Sequence, residues 1–439
     1  MRHSSRRWWC TTLVVVAVAG AVARAQVPTA PTSTLDYVVY LGRHGARTPL
    51  LSQDLLDSYS VKAWPRWRDP LGNLTTRGRE TSAATGREAA AYLRARRLLG
   101  GQPCDDATRT FVWTDNIQRD IETARAMAQT MFPGCRVPLH MAPAGTRDPL
   151  FEPLPTIPGS DLALAGAAMA GRFGGRSESL LEAFPDTVEQ LRRLLRGCSP
   201  SRPCPAGTPE AKYEVPGRLA PAPPGAGRPD VVELFQALIE AFSLEYLDGM
   251  SGRDLGWGHL TPGELTNLMA VRGVIINAYW RTPYLARARG SALASHVLRS
   301  MQQVATGVAT TGTLGSPSDR LLLVMGHDSD FYFLGSMLDL HWLTPGYPPD
   351  STPPNMALTF ELWRDPAGHR TVRAVVTTQR PDSLRAGAPD RPPDRVPVFI
   401  PGCSVAGEGY PCDWDTFQRI LGAAFDPAFV RPVVEGPPQ

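Results

Sequence analysis

Two histidines, three arginines and an aspartate stand where phosphate chemistry would need them. His44 lies in Arg43-His44-Gly45-Ala46-Arg47-Thr48-Pro49, directly after the apolar run Leu35–Gly42. His327 and Asp328 follow Gly326 at the end of a second run, Arg320–Gly326. Arg119 lies just past the end of a third, Phe111–Asp115. Each run reads as a buried strand, and in parallel α/β sheets ligands gather at the carboxyl ends of strands. The planar fork of arginine suits phosphate oxygens, and positive charge nearby lowers the pKa of an imidazole, keeping it neutral and able to attack. A nucleophile, cations for the equatorial oxygens and an acid for the leaving oxygen are what phosphoryl transfer requires. A lone R-H-G is an ordinary strand-end turn; a second histidine on a second strand end gives it chemical meaning.

With both motifs in view the chain resembles the histidine acid phosphatases, the second branch of the histidine phosphatase superfamily. RHGARTP fits that family's R-H-G-x-R-x-P signature, and Gly326-His327-Asp328 its downstream His-Asp motif. The likeness extends to AWPRW (63–67), LTTRG (74–78), RTPYLARARG (281–290) and PGYPPDSTPP (345–354), and is nearest the bacterial periplasmic phytases and glucose-1-phosphatases. The resemblance implies a phosphohistidine formed on His44, phosphate held by Arg43, Arg47, Arg119 and His327, and Asp328 as proton donor. It implies a two-step reaction with no metal and no cofactor, an acidic pH optimum, and a small phosphate monoester as substrate. Thr48, Glu240, Arg281 and Ser329 fall on the substrate side by the same resemblance. Leu50, where the phytases carry polar or basic residues, leans toward the glucose-1-phosphatases, and Asp330 would add an acid unwelcome to a polyanion.

The elements that must position these residues alternate. Helical pattern covers about Thr76–Leu99 and Ile117–Met131, between the strands already named. Strands return at Met356–Trp363, Val372–Thr378 and Val396–Ile400, the last carrying a proline and therefore expected at an edge. A final helix fits Trp414–Ala424. The fold class expected is α/β: a mainly parallel sheet flanked by helices, a three-layer sandwich, with a mostly helical inserted subdomain. The insert is placed at 151–284, between core segments 26–150 and 285–439. It begins rich in Pro, Gly and Ala, with an amphipathic stretch at Thr187–Arg196, then helices at Asp230–Leu247 and Pro262–Trp280. Thr261, Pro262 and Glu264 give the second of these a capping box.

Residues 1–25 read as a secretory signal peptide: arginines, an apolar run from Leu13 to Ala23, then Ala23-Arg24-Ala25. That run is too short for a spanning helix, so the mature chain is expected to be periplasmic or secreted and without an anchor. Removing it takes away four arginines and no acid, so the net charge of +3 gives no support for a nucleic-acid partner. Six cysteines remain, an even number that favours disulfides in an exported chain. Cys198/Cys204 and Cys403/Cys412 close short loops and leave Cys104 with Cys135; six cysteines allow fifteen connectivities, so nearness in sequence only ranks this one first. The resemblance supports the same pairs. The sequence does not report an oligomeric state. Two other functions fit parts of the pattern: a phosphoglycerate-mutase-like phosphotransferase sharing the R-H-G start, and a non-catalytic phosphate- or sugar-binding protein on the same fold.

Overall fold

A computed structural model describes residues 33–151, 161–199, 202–220, 230–387 and 391–439. The leader proposed at 1–25 lies outside them. Among the described residues eight strands form one sheet: β1 (Thr34–Arg43), β2 (Thr110–Thr114), β3 (Leu139–His140), β4 (Leu321–Gly326), β5 (Ala357–Arg364), β6 (Arg370–Thr378), β7 (Asp394–Val398) and β8 (Cys412–Asp413). Their order is β3-β2-β4-β1-β5-β6-β7, with β8 beside β6. Strands β3, β2, β4 and β1 run parallel. From β1 onward each pairing is antiparallel. The parallel core expected from the alternating pattern is therefore present, extended by antiparallel strands. Strand β7, with Pro397, is at the end of this order, where its missing N–H removes no ladder bond from a neighbour beyond.

Side-chain alternation assigns the two faces. Tyr37, Val39 and Leu41 of β1 join Leu322 and Val324 of β4 on one face, against the helices Pro283–Thr306, Asp328–Met337 and Trp414–Ala424. Val38, Tyr40, Leu321 and Leu323 face the other way, onto the helices Thr76–Ala95 and Gln118–Met131. Leu35 shares the Val38 face although its parity is that of Tyr37, because a register shift between Leu35 and Tyr37 inserts one residue. This is the three-layer arrangement, apolar on both faces as a covered sheet requires.

A third apolar cluster gathers Leu56, Tyr59 and Trp64 with the helices Pro185–Leu195, Val231–Leu247 and Pro262–Trp280. Among the described residues from 161 to 280 there is no strand. The capping box at Thr261 is formed: Thr261 Oγ1 accepts from the Glu264 N–H, and Glu264 Oε2 accepts from the Thr261 N–H at 2.8 Å. Trp64 packs against Phe242 with ring centroids 4.5 Å apart, so it belongs to this cluster. The helix Pro283–Thr306 was not legible from apolar periodicity. It is buried almost all round between Gly290 and Met301, with small residues against the helix Asp328–Met337. Three disulfides, Cys104–Cys135, Cys198–Cys204 and Cys403–Cys412, follow the ranked pairing.

Candidate active site

Strand register brings the two histidines together. Arg43 of β1 is paired with Gly326 of β4, so His44 and His327 each stand one residue past the same rung. The His44 N–H donates to the Gly326 carbonyl at 3.0 Å, and the Asp115 N–H donates to the Met325 carbonyl, bringing the end of β2 level with both. The imidazole centroids of His44 and His327 are 5.7 Å apart, edge to face. Both residues are buried.

The loop after β1 is pressed between elements. A Cβ on Gly45 would meet Ser82 Oγ at 2.5 Å, and one on Gly78 would come 2.0 Å from the Ala46 carbonyl oxygen. Both positions therefore require glycine, which explains the LTTRG segment at the start of the helix Thr76–Ala95. The Gly45 N–H donates to Thr123 Oγ1, and Asn355 bonds Thr81 and Ser82 while its own N–H donates to the His44 carbonyl.

His44 Nδ1 lies 2.8 Å from the Gly45 carbonyl oxygen. A carbonyl only accepts, so Nδ1 carries the proton and Nε2 keeps its lone pair. Burial, then Arg119, Arg43, His327 and Arg47, hold the His44 pKa well below its ordinary value. It is a neutral imidazole among cations.

His327 is the opposite case. Burial alone would lower it, but Asp120, Asp115 and Asp330 outweigh burial and Arg119 and raise its pKa to about 9. Its Nε2 is 2.7 Å from Asp115 Oδ2, and its Nδ1 is 3.8 Å from Asp120 Oδ2 and 3.5 Å from Arg119 Nη2. A protonated Nδ1 beside a guanidinium nitrogen is two donors side by side, an arrangement completed by an anionic oxygen. Asp115, Asp120 and His327 are the one group of possible metal-ligating side chains found among the described residues, their donor atoms within 4.8 Å of one another. The 2.7 Å contact makes them an ion-paired set that a metal would have to break apart.

A second charged group closes the cleft from the helical side. Arg47 Nη2 donates to Glu240 Oε2 at 2.9 Å, and Arg272 Nη2 to Glu240 Oε1 at 3.1 Å. Arg43 donates to the Thr352 carbonyl, and its Nη2 lies 3.1 Å from Asp328 Oδ2 and 3.6 Å from Glu240 Oε1. Burial would raise Glu240, but Arg47, Arg272 and Arg43 together bring it down to about 2. Burial likewise opposes ionisation of Asp328, and Arg43, helped by Arg272 and Arg47, holds it below its ordinary value against Glu240.

The structure brings Arg43, His44, Arg47, Arg119, Glu240, His327 and Asp328 together. It places others differently. Arg281 Nη2 donates to the Gly335 and Leu340 carbonyls at 3.0 and 2.7 Å, and its Nη1 lies 3.2 Å from Asp350 Oδ2, so the side chain anchors the end of the helix Asp328–Met337. The Thr48 hydroxyl donates to the Pro70 carbonyl at 2.6 Å and fastens two loops. Asp330 accepts from the His327 N–H at 2.8 Å and is buried. Ser329 follows Asp328 in the first helical turn, its N–H donating to Asp328 Oδ1 at 3.0 Å. Asp115, Asp120 and Arg272 were missed. Asp115 ends a buried strand, the same signal that singled out the histidines; Arg272 is a charge inside the apolar stretch Leu268–Ile276.

A fold with these two strand-end histidines is that of a phosphatase family, and the sequence matches one. The chain belongs to the histidine phosphatase superfamily, branch 2, matched over residues 34–157 and 231–377. It is an acid phosphatase, a hydrolase of phosphate monoesters. Phytase AppA of Escherichia coli is 28% identical over 423 residues, covering 91% of this chain and 94% of that protein. A glucose-1-phosphatase of Providencia rettgeri is 26% identical over 400 residues, covering 89% and 92%. The solved Hafnia alvei phytase, in its apo form, superposes with a TM-score of 0.78 at 29% identity, covering 92% of this chain and all of that one.

Proposed function

We propose that the chain hydrolyses sugar or polyol phosphates of the kinds its relatives' names describe, through a phosphohistidine on His44. The carrying observation is the His44–His327 contact inside the ring of Arg43, Arg47 and Arg119, with Asp328 on Arg43. His44 Nε2 attacks phosphorus while the three guanidinium groups and the His327 imidazolium take up charge on the non-bridging oxygens. The P–O bond to the alcohol breaks, and the Asp328 proton goes to the departing oxygen. Water then attacks the phosphohistidine, ionised Asp328 takes its proton, and inorganic phosphate leaves. Substrate draws Arg43 onto its own oxygens and adds negative charge beside Asp328, and both changes move that carboxyl toward its protonated form. Acid pH favours the first step for the same reason.

Export is proposed from the basic, apolar and A-x-A pattern of residues 1–25, supported by three disulfides that an oxidising compartment maintains. No helix among the described residues is long and apolar enough to cross a membrane.

The test is phosphate release with EDTA present, on p-nitrophenyl phosphate and on an alkyl phosphate such as glucose 6-phosphate. Asp328→Asn should cost about 10²–10⁴-fold on the alkyl substrate and much less on the aryl one, whose leaving group needs little protonation. Equal losses on both would count against the acid role.

A further inference from the structure

The Nη2 of Arg43 is contested by two carboxylates, Asp328 at 3.1 Å and Glu240 at 3.6 Å. Glu240 is held on both oxygens, Oε2 by Arg47 and Oε1, the one nearer Arg43, by Arg272. Arg47 belongs to the loop after β1, but Arg272 comes from the helix Pro262–Trp280, across the cleft from the strand ends. Its side chain is only 9% exposed, and the acceptor its Nη2 meets there is this carboxylate, at 3.1 Å. Arg43, Glu240, Arg272 and Tyr332 line one cavity.

We infer that Arg272 is a positioning residue: by holding Glu240 off Arg43, it governs how readily Asp328 donates its proton. The inference rests on the phosphatase reading above. The charged groups around Asp328 are Arg43 and Arg47 from the β1 end, Glu240 from the helix Val231–Leu247, and Arg272. On its own helix stands Tyr332, whose hydroxyl accepts from Thr352 Oγ1. Loss of Arg272 acts on Asp328 twice with one sign. A nearby positive charge disappears, and Glu240 relaxes toward Arg43, weakening the ion pair that keeps Asp328 ionised. Neutralising Glu240 acts with the opposite sign, because a like charge is removed.

The experiment is the pH dependence of kcat on glucose 6-phosphate and on p-nitrophenyl phosphate, with thermal melts as a check of folding. Arg272→Met should move the basic limb of kcat upward by roughly half to one pH unit on the alkyl substrate, with little movement on the aryl one. Arg272→Lys should return most of that shift. Glu240→Gln should move the limb downward, which decides the matter even if Arg272→Met does not fold. An unmoved limb in a well-folded Arg272→Met, or shifts of the same sign in both variants, would overturn the inference while leaving the phosphatase reading intact. Wild-type protein that releases no phosphate would instead overturn that reading.

Discussion

His44 and His327 end adjacent parallel strands, are 3% and 9% exposed, and have rings 5.7 Å apart, yet they titrate in opposite directions. At the β1 end the neighbours are guanidinium groups, and the imidazole is neutral. At the β4 end Asp115, Asp120 and Asp330 surround the ring, and it is a cation. Burial pushes both the same way, so burial does not decide; the sign of the surrounding charge does. One residue type thus supplies both nucleophile and phosphate-holding cation. The same contrast recurs on the helix Val231–Leu247, where Glu240 among three arginines is brought down to about 2. Glu245, buried with the Gly256 N–H as its hydrogen-bond donor and Asp254 nearby, is pushed up to about 8.

The sharpest way to break the comparison is to remove the neutral member. His44→Ala should lower phosphate release by at least about 10⁴-fold, measured on p-nitrophenyl phosphate so that leaving-group protonation does not limit the assay. Retained turnover would place the attacking atom elsewhere. Changing the neighbours of the charged member is the next test. Asp115→Asn removes the carboxylate at 2.7 Å from His327, and kcat/KM should fall about 10–100-fold at neutral pH. His327 then loses its proton at lower pH, so the loss should shrink as the assay is made more acidic. A loss equal at all pH values would mean that Asp115 matters for shape and not for charge.

The smallest effect is on stability and belongs to Glu245. Its folded-state pKa of about 8 lies above the ordinary 4.5, so the folded chain holds an extra proton between those values. Stability from this group is therefore greatest in acid and declines as pH rises through that window. Glu245→Gln cannot titrate, and should melt roughly 1–2 °C above the parent at pH 8 with no gain at pH 4. Calorimetry at the two pH values checks it, and a gain of the same size at both would exclude the titration. Asp120, Asp148 and Asp330, each raised by burial to about 7, give the parent a similar leaning toward acid stability.

The reacting groups were legible because their signal is local. Short apolar runs ending in Gly or a polar residue mark strand ends, and a histidine placed there is exposed to whatever binds. Asp115 carried the same signal and was passed over, since an acid at a strand end also reads as an ordinary turn former. Arg272 and Glu240 act across the cleft through each other, and that relation depends on how two helices pack, which no spacing along the chain encodes. Arg281 shows the converse. The resemblance assigns it to the substrate side, while its bonds to the Gly335 and Leu340 carbonyls and its ion pair with Asp350 are set by packing that the motif does not encode. The helix Pro283–Thr306 was overlooked because small residues pack it on several sides and leave little amphipathic contrast.

The rung joining Arg43 to Gly326 connects chain positions roughly 280 residues apart. The chain between them returns to the sheet at β2 and β3, leaving Asp115 and Arg119 beside the histidines, and then runs through the helices that carry Glu240 and Arg272 before β4 closes the register. Only the loops of that stretch that carry none of these side chains can be lengthened without disturbing the site, provided the two strands still meet in register. The two histidines are in that sense a seam between the first and last thirds of the polypeptide, walled by helices of the middle one, and no third carries the site alone.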